Sequence, residues 1–441
     1  MSGNNFEKYK ERIIGDGVYP KCNNYGKKIL YADWAASGRL YLDIENQIIE
    51  GYGPYYSNTH SHGNYISNEM EELYVLAENK ILNHFGGMDN YEVIASGFGM
   101  TYAINKLQDI LASSGDYQVR DTVVLLSKYE HNSNFITWKE RGYKCIILDH
   151  DKEGQIDLDK LKTFLEHLKR KTRIIASLSA CSNVTGIILE LREVIKLLKK
   201  YNSLICIDYT TIAPYDKINI EDEHIDVLVF SAHKFLGGVG GPGVLLISKD
   251  IYKLSRPSTV GGGTVDWVNP FGEILYKGKI SRREEAGTPP ILQMAKLALA
   301  IDLKDNMGVE NIMVREKYLS QYMLDKLSEV KSIVIYDEPI QHRLPIIAFN
   351  FLRIGYARAI RMLDEIYGIQ ARGGCSCASI YGHDLLNITK ADSDNMYRNM
   401  KNGDVINNYG WVRISLSPVV SNNEVEYICN AIKDIGDEEV D

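Results

Sequence analysis

The stretch Ser231-Ala232-His233-Lys234 runs off an apolar segment, Val227–Phe230, into a loop carrying Gly237, Gly238, Gly240, Gly241 and Gly243. Lysine forms imines with carbonyl compounds, and its pKa falls when it is desolvated near another cation. Ser231 and His233 flank it as donors suited to a phosphate. The glycines let the backbone approach a flat ligand closely and adopt positive φ. A lone lysine after a strand is more often a surface lysine, so Lys234 has to be judged with its surroundings.

Two further segments bear on that judgement. Asp208 ends the apolar run 203–208, where α/β sheets place ligands. A carboxylate there could keep a pyridine nitrogen protonated and make the ring an electron sink, or it could simply cap the turn before Pro214. Ser96-Gly97-Phe98-Gly99-Met100-Thr101 then feeds a helical pattern holding Asn105. A glycine turn opening a helix offers free N–H groups and a positive dipole end to a phosphate, although many strand-to-helix turns are glycine-rich for steric reasons alone. Taken together, an imine-forming lysine, a ring carboxylate and a phosphate turn describe a site for pyridoxal phosphate (PLP).

Such residues need a scaffold that brings distant segments to one edge. Short apolar runs at 91–95, 122–127, 144–148, 174–179, 203–208, 227–231 and 243–248 alternate with amphipathic stretches at 100–112, 157–168 and 191–201. That alternation predicts an α/β fold with a largely parallel sheet. Beyond about residue 305 the pattern shifts to a smaller α+β unit. It has helices at 309–330, 357–367 and 423–435, strands at 333–336, 344–350 and 410–415, and a glycine-rich turn between. The expected organisation is an N-terminal segment 1–30, a PLP-binding domain 31–305 and a C-terminal domain 306–441.

Composition narrows the class. The 441 residues are 45% apolar and 24% charged with a net charge of −8, so phosphate-neutralising nucleic-acid binding has no support. Seven scattered cysteines fit a reducing compartment rather than a disulfide framework. No apolar run approaches the ~20 residues that cross a bilayer. A cytoplasmic protein with no membrane association is expected.

These motifs, in this order, resemble the class V aminotransferase fold, and within it the group II cysteine desulfurase and selenocysteine lyase branch. The resemblance runs from about Tyr31 to the last helix. It implies PLP-dependent transferase fold type I: a mostly parallel seven-stranded sheet with a smaller α+β domain. Tyr31-Ala32-Asp33-Trp34-Ala35-Ala36-Ser37 resembles the family's opening motif, whose backbone lines the substrate site at Ala35, and Asn58-Thr59-His60 its active-site Asn-x-His. Glu130-His131-Asn132-Ser133-Asn134 with Trp138 is similar to the motif whose histidine stacks on the cofactor. The resemblance makes His131 and Lys234 catalytic, and it assigns Gly99, Met100, Thr101, Asn183, Asp208, Thr211, Ser231 and His233 to the cofactor. Asn183, in Ser182-Asn183-Val184-Thr185-Gly186, also faces the substrate. Glu285-Ala286-Gly287-Thr288-Pro289 matches a segment whose Thr reaches a neighbouring subunit's phosphate, which implies a homodimer with shared sites.

The reaction is read from Ala371-Arg372-Gly373-Gly374-Cys375-Ser376-Cys377-Ala378. It resembles the desulfurase loop, with Arg372 on the substrate carboxylate and Cys377 as nucleophile. Arg413 matches a second carboxylate-binding arginine. The implied activity removes sulfur (or selenium) from cysteine or selenocysteine through a Cys377 persulfide, releases alanine, and hands sulfur to a protein or small-thiol acceptor. Cys375 is an equally placed thiol; Cys377 is favoured because it directly precedes the motif's Ala. Other class V chemistry, such as an aminotransferase, epimerase or C–S lyase reaction, would leave both cysteines incidental. No second cysteine pair has zinc spacing, so no metal is expected. Two departures stand out: Asp208-Tyr209-Thr210-Thr211 replaces the family's Asp-x-x-Gln, and a polar insertion spans Gly382–Asn408. That insertion could cover the site, dock an acceptor or form a plain surface loop.

Overall fold

A computed structural model describes residues 6–21, 26–59, 63–169, 171–337, 339–403 and 409–438. Seven strands, β1 (Tyr91–Ser96), β2 (Thr122–Leu126), β3 (Lys144–Ile147), β4 (Arg173–Ser179), β5 (Leu204–Asp208), β6 (Val227–Ser231) and β7 (Gly243–Ser248), form one sheet. Their spatial order is β1-β7-β6-β5-β4-β2-β3. Only β7 runs against the rest. Each strand lies within about one residue of the segment expected from its apolar run.

The period-two geometry of strands divides the core. Val93, Leu125, Ala176, Ile205, Ile207, Leu228 and Phe230 join one buried cluster, while Ile94, Val124, Leu126, Ile175, Cys206 and Val229 join another. Both faces are therefore covered, which is why β5 and β6 read as unbroken apolar runs. The helix Gly99–Ser114 buries Met100, Ile104, Leu107 and Leu111 on the second face. The helix Leu191–Lys199 packs Val194, Ile195 and Leu198 on the first.

Four more strands, β8 (Ile333–Ile335), β9 (Ile346–Phe351), β10 (Arg372–Gly374) and β11 (Trp411–Ser415), make an antiparallel sheet in the order β8-β9-β11-β10. Here the expectation of a mere glycine-rich turn needs correction. Arg372, Gly373 and Gly374 form an edge strand on β11, which pairs Arg372 directly with Arg413. Two glycines carry little strand signal in a sequence, so pairing with β11 decides the conformation.

The stretch 30–38 bridges the two sheets. Leu30 and Tyr31 pair with Ile369 and Gln370, and Asp33 forms a bridge with Ser415. Gly38 N–H donates to the His233 carbonyl oxygen at 2.9 Å. The described part of the polar insertion is not a loop. It folds into the end of helix Ser379–Leu385 and a helix Lys390–Lys401, which a Thr389–Asp392 capping box opens. The second helix buries none of its residues, so it left no apolar periodicity to read. A hairpin of Val265–Val268 with Ile274–Tyr276 also went unanticipated, because both its faces are largely exposed.

Gly186 shows how tightly the sheets are joined. It has φ of +73°, and a Cβ there would sit 2.5 Å from the Leu344 carbonyl oxygen. The Leu344 N–H donates to the Gly186 carbonyl oxygen at 2.9 Å. Gly186→Ala is expected to lower stability by about 2 kcal/mol or more, measured as a denaturation midpoint shift; an unchanged midpoint would show that this junction is not constrained.

Candidate active site

The loops after β1, β2, β4, β5 and β6 leave from the same edge and enclose a cavity of about 190 Å³. Lys234 stands in a short 3-10 turn after β6. Asp208 ends β5, the parallel neighbour of β6, and both side chains line the cavity. The Lys234 amine makes no hydrogen bond among the described residues. Burial, reinforced by the positive field of Arg413, pushes its pKa down to about 8, against the opposing pull of Asp208. Asp208 is pushed the other way by burial, restrained by Thr210 and by Lys234. Its Oδ1 accepts from Thr210 N–H at 3.0 Å.

A second lysine, Lys304, is buried and offers a contrast. Lys304 is also pushed down, to about 7, by burial. Its amine, however, donates to the carbonyl oxygens of Ala213 (2.7 Å) and Asp216 and lies 3.1 Å from His84 Nε2. Its hydrogens are committed to structure; those of Lys234 are free.

His131 sits at the N-cap of helix Asn132–Glu140. Its Nδ1 accepts from Ser133 N–H at 3.1 Å and lies 3.0 Å from Ser133 Oγ. An accepting Nδ1 places the ring proton of the neutral imidazole on Nε2. Burial, then the charges of Lys234 and Arg372, pushes its pKa down to about 4, so the ring is neutral at physiological pH. Burial and Lys234 do the same to His233.

The other members of the His131 motif hold its loop. Buried Glu130 accepts at Oε1 from Ser127 N–H (3.0 Å), Ser127 Oγ (2.6 Å) and Ser179 N–H (2.9 Å), and at Oε2 from Asn134 and Ser179 Oγ. Asn134 Oδ1 accepts from Trp138 Nε1 at 3.1 Å and from Ser177 Oγ at 2.6 Å. This network fixes the loops after β2 and β4 together, and Trp138 is wholly buried in it.

At the opposite wall, Gly99 opens the helix Gly99–Ser114 with φ of +68°. A Cβ there would meet Ser231 Oγ at 3.0 Å. Ser231 Oγ accepts from Met100 N–H at 2.8 Å, which leaves its own hydrogen for a ligand. Thr101 Oγ1 lies 2.7 Å from Ser133 Oγ, linking this helix start to the His131 loop.

The cysteine loop closes the cavity. Ser376 and Cys377 both adopt left-handed backbone, with φ of 53° and 55°, a conformation non-glycine residues hold only when their surroundings impose it. Three hydrogen bonds do so. Asn183 Nδ2 donates to the Ser376 carbonyl oxygen at 2.8 Å, and Asn132 N–H to the Cys377 carbonyl oxygen at 2.7 Å. Asn132 Oδ1 accepts from Ser379 N–H at 2.9 Å. Cys377 is exposed at the cavity rim, while Cys375 is half-buried.

Of the residues singled out in the sequence, the cavity brings together Ala35, Gly99, Met100, Thr101, His131, Asn183, Asp208, Thr211, Ser231, His233, Lys234, Arg372, Cys377 and Arg413. Thr288 stays outside it, accepting a 3.3 Å hydrogen bond from Asn58. His60 lies outside the described residues. Sequence reasoning missed two side chains. Asp33 pairs with both Arg372 (3.5 Å) and Arg413, and Asn132 pins the cysteine loop. Both stood inside motifs noticed for other members.

The model of the family described as aminotransferase class-V matches residues 30–428. The chain belongs to this family. Its members are PLP-dependent enzymes, and this chain is one of them. A cysteine desulfurase of Haloferax volcanii is 25% identical over 373 residues, 84% of this chain and 85% of its own. The apo structure of a cysteine desulfurase from Thermococcus onnurineus superposes with a TM-score of 0.76 at 22% identity, covering 93% of this chain and 95% of its own. A cysteine desulfurase from Escherichia coli, solved in an S-sulfonic acid form, superposes with a TM-score of 0.75 at 20% identity, covering 98% of both chains.

The class-V chain fits its cofactor. Among the described residues the Lys234 amine has no hydrogen-bond partner, the cradle at Gly99 is one a Cβ would fill, and Asn183 Oδ1 is buried with no hydrogen bond. The amine is neutral above about pH 8 and protonated below. Loading of the apoenzyme with PLP, followed as growth of the visible absorbance band, is therefore expected to accelerate about tenfold from pH 7 to pH 9. A rate that still climbs about a hundredfold over that range, without levelling toward pH 9, would contradict the lowered pKa.

Proposed function

We propose that this enzyme is a cysteine desulfurase acting on L-cysteine or L-selenocysteine and leaving the sulfur or selenium on Cys377. The observation that carries the reading is the placement of an exposed thiol, on a loop whose backbone is pinned by hydrogen bonds, at the rim of the cavity that contains the Lys234 amine. The named desulfurase relatives support it.

Each step then falls to a side chain in the cavity. Arg372 and Arg413 bind the substrate carboxylate and orient the amino acid. Lys234, Asp208, Ser231, His233, Thr211 and the first turn of helix Gly99–Ser114 would hold the cofactor, with His131 against its ring. When bound, PLP supplies an electron sink for the charge left at the substrate α-carbon. The Lys234 amine takes the α-proton, and the neutral His131 keeps a proton at Nε2 for relay. The Cys377 thiolate attacks the substrate sulfur, the carbon–sulfur bond breaks, and a persulfide remains on the enzyme as alanine forms. With its Sγ at the rim, Cys377 can pass that sulfur to a thiol outside the cavity. The cysteines among the described residues are all free, which suits work in a reducing cytoplasm.

A homodimer with shared sites completes the reading. Thr288 lies outside its own cavity, where it can serve a neighbouring subunit's phosphate. The nearby hairpin exposes Trp267, Val268, Phe271, Ile274 and Leu275, with Phe271 at 90%, an apolar area suited to burial against a second copy. The holoenzyme should sediment at twice the chain mass, and Phe271→Asp should shift it toward the monomer; a wild-type monomer would contradict the shared site.

The activity is tested by incubating holoenzyme with L-cysteine and measuring alanine and sulfide. Cys377→Ala should lose at least about 100-fold in alanine formation, the scale of losing an essential nucleophile. Cys375→Ala should stay near the wild type. Undiminished alanine from Cys377→Ala would defeat the persulfide route and favour a reaction in which neither cysteine takes part.

A further inference from the structure

The two arginines are an electrostatic problem that the fold has to solve. Arg372 and Arg413 are directly opposed in the β10–β11 ladder, where like charges destabilise each other. Arg413 is buried and Arg372 half-exposed. The counter-charge is Asp33. Its Oδ1 accepts from Arg413 Nη2, and its Oδ2 lies 3.5 Å from Arg372 Nη1. Arg413 Nη1 donates to the Asn183 carbonyl oxygen at 2.7 Å, which fixes the other side of the guanidinium.

Asp33 is itself rigidly delivered. It bridges to Ser415, two residues along the strand from Arg413. Trp34 N–H donates to the Ser415 carbonyl oxygen at 3.3 Å, and Ala35 N–H to Ser415 Oγ at 2.9 Å. The Tyr31 hydroxyl donates to the Asp33 carbonyl oxygen at 3.0 Å. One carboxylate against two guanidiniums leaves a net charge of +1, and an incoming α-carboxylate cancels it.

We propose that Asp33 is a positioning and specificity-determining residue that holds the arginine pair at net +1 and thereby fits the site to an amino acid with a single free carboxylate. The proposal rests on the reading of Arg372 and Arg413 as the substrate-carboxylate site. A side chain bearing a second carboxylate would bring one negative charge too many into a cavity that has already neutralised one arginine. Neutralising Asp33 frees the second guanidinium for that extra charge.

The test is a spectral titration of the PLP holoenzyme with L-alanine and with L-aspartate, which reads binding rather than turnover. Asp33→Asn should weaken L-alanine binding about tenfold, as Arg413 loses its anchor, and shift the aspartate-to-alanine affinity ratio at least about tenfold toward aspartate. Asp33→Glu, which keeps the charge, should hold the ratio within about threefold of the wild type. A merely structural role would weaken both ligands alike; an unmoved ratio in Asp33→Asn overturns the proposal. Should Asp33→Asn fail to fold, the double variant Asp33→Asn/Arg372→Gln relieves the opposed guanidiniums and returns the pair to +1. Its ratio should lie near the wild type, and a shift toward aspartate would overturn the proposal. A wild-type holoenzyme that binds neither amino acid defeats the carboxylate-site reading as well, whereas binding with an unmoved ratio defeats Asp33's role alone.

Discussion

A lysine amine walled in by protein, with no acceptor among the described residues, is a costly arrangement, and the fold is organised around sustaining it at position 234. Burial disfavours the ammonium form, and the Arg413 guanidinium adds to the pressure. Asp208, on the neighbouring strand, moderates it. The contrast with Lys304 separates the roles. That side chain is more fully buried than Lys234, and its hydrogens go to backbone carbonyl oxygens, so its chemistry is spent on tying helix Ile291–Met307 to the loop after β5. The reactivity proposed for Lys234 rests on the lack of such partners among the described residues, in a place where a ligand can enter.

Sustaining that arrangement requires the cavity walls to stay put, and they come from segments far apart in the chain. Buried hydrogen-bonded groups do the fastening. Glu130 gathers the loops after β2 and β4, and Ser231 holds the first turn of helix Gly99–Ser114 beside the lysine. Asn132 and Asn183 hold the cysteine loop in a backbone shape it would not adopt alone. Asp33 joins the two arginines to the stretch 30–38. Each of these groups touches a residue that faces the cavity, and each lies on a different element. The site is thus a consequence of the sheet edge, where the carboxyl ends of five strands converge.

Much of this was legible in the sequence, for identifiable reasons. Strands buried on both faces declare themselves as apolar runs, and the glycine turns, Asp208 and Lys234 stand at their carboxyl ends in chain order. Most of what escaped notice depends on long-range pairing. Arg372–Gly374 has no strand propensity until β11 lies beside it. The helix Lys390–Lys401 buries nothing and so has no periodic signature, although its Thr389–Asp392 cap was there to be read. Asp33 is an ordinary acidic residue until the register of β10 with β11 places two arginines on it. Glu130 and Trp138 were noticed for their neighbourhood to His131, but their work is to fasten loops rather than to meet a ligand.

The central claim is that Lys234, and not the other buried lysine, carries the cofactor. Borohydride reduction of the holoenzyme followed by peptide mapping tests it directly. The account predicts a single phosphopyridoxyl group on the peptide containing Lys234. Labelling of Lys304, or of surface lysines with Lys234 unmodified, would contradict it.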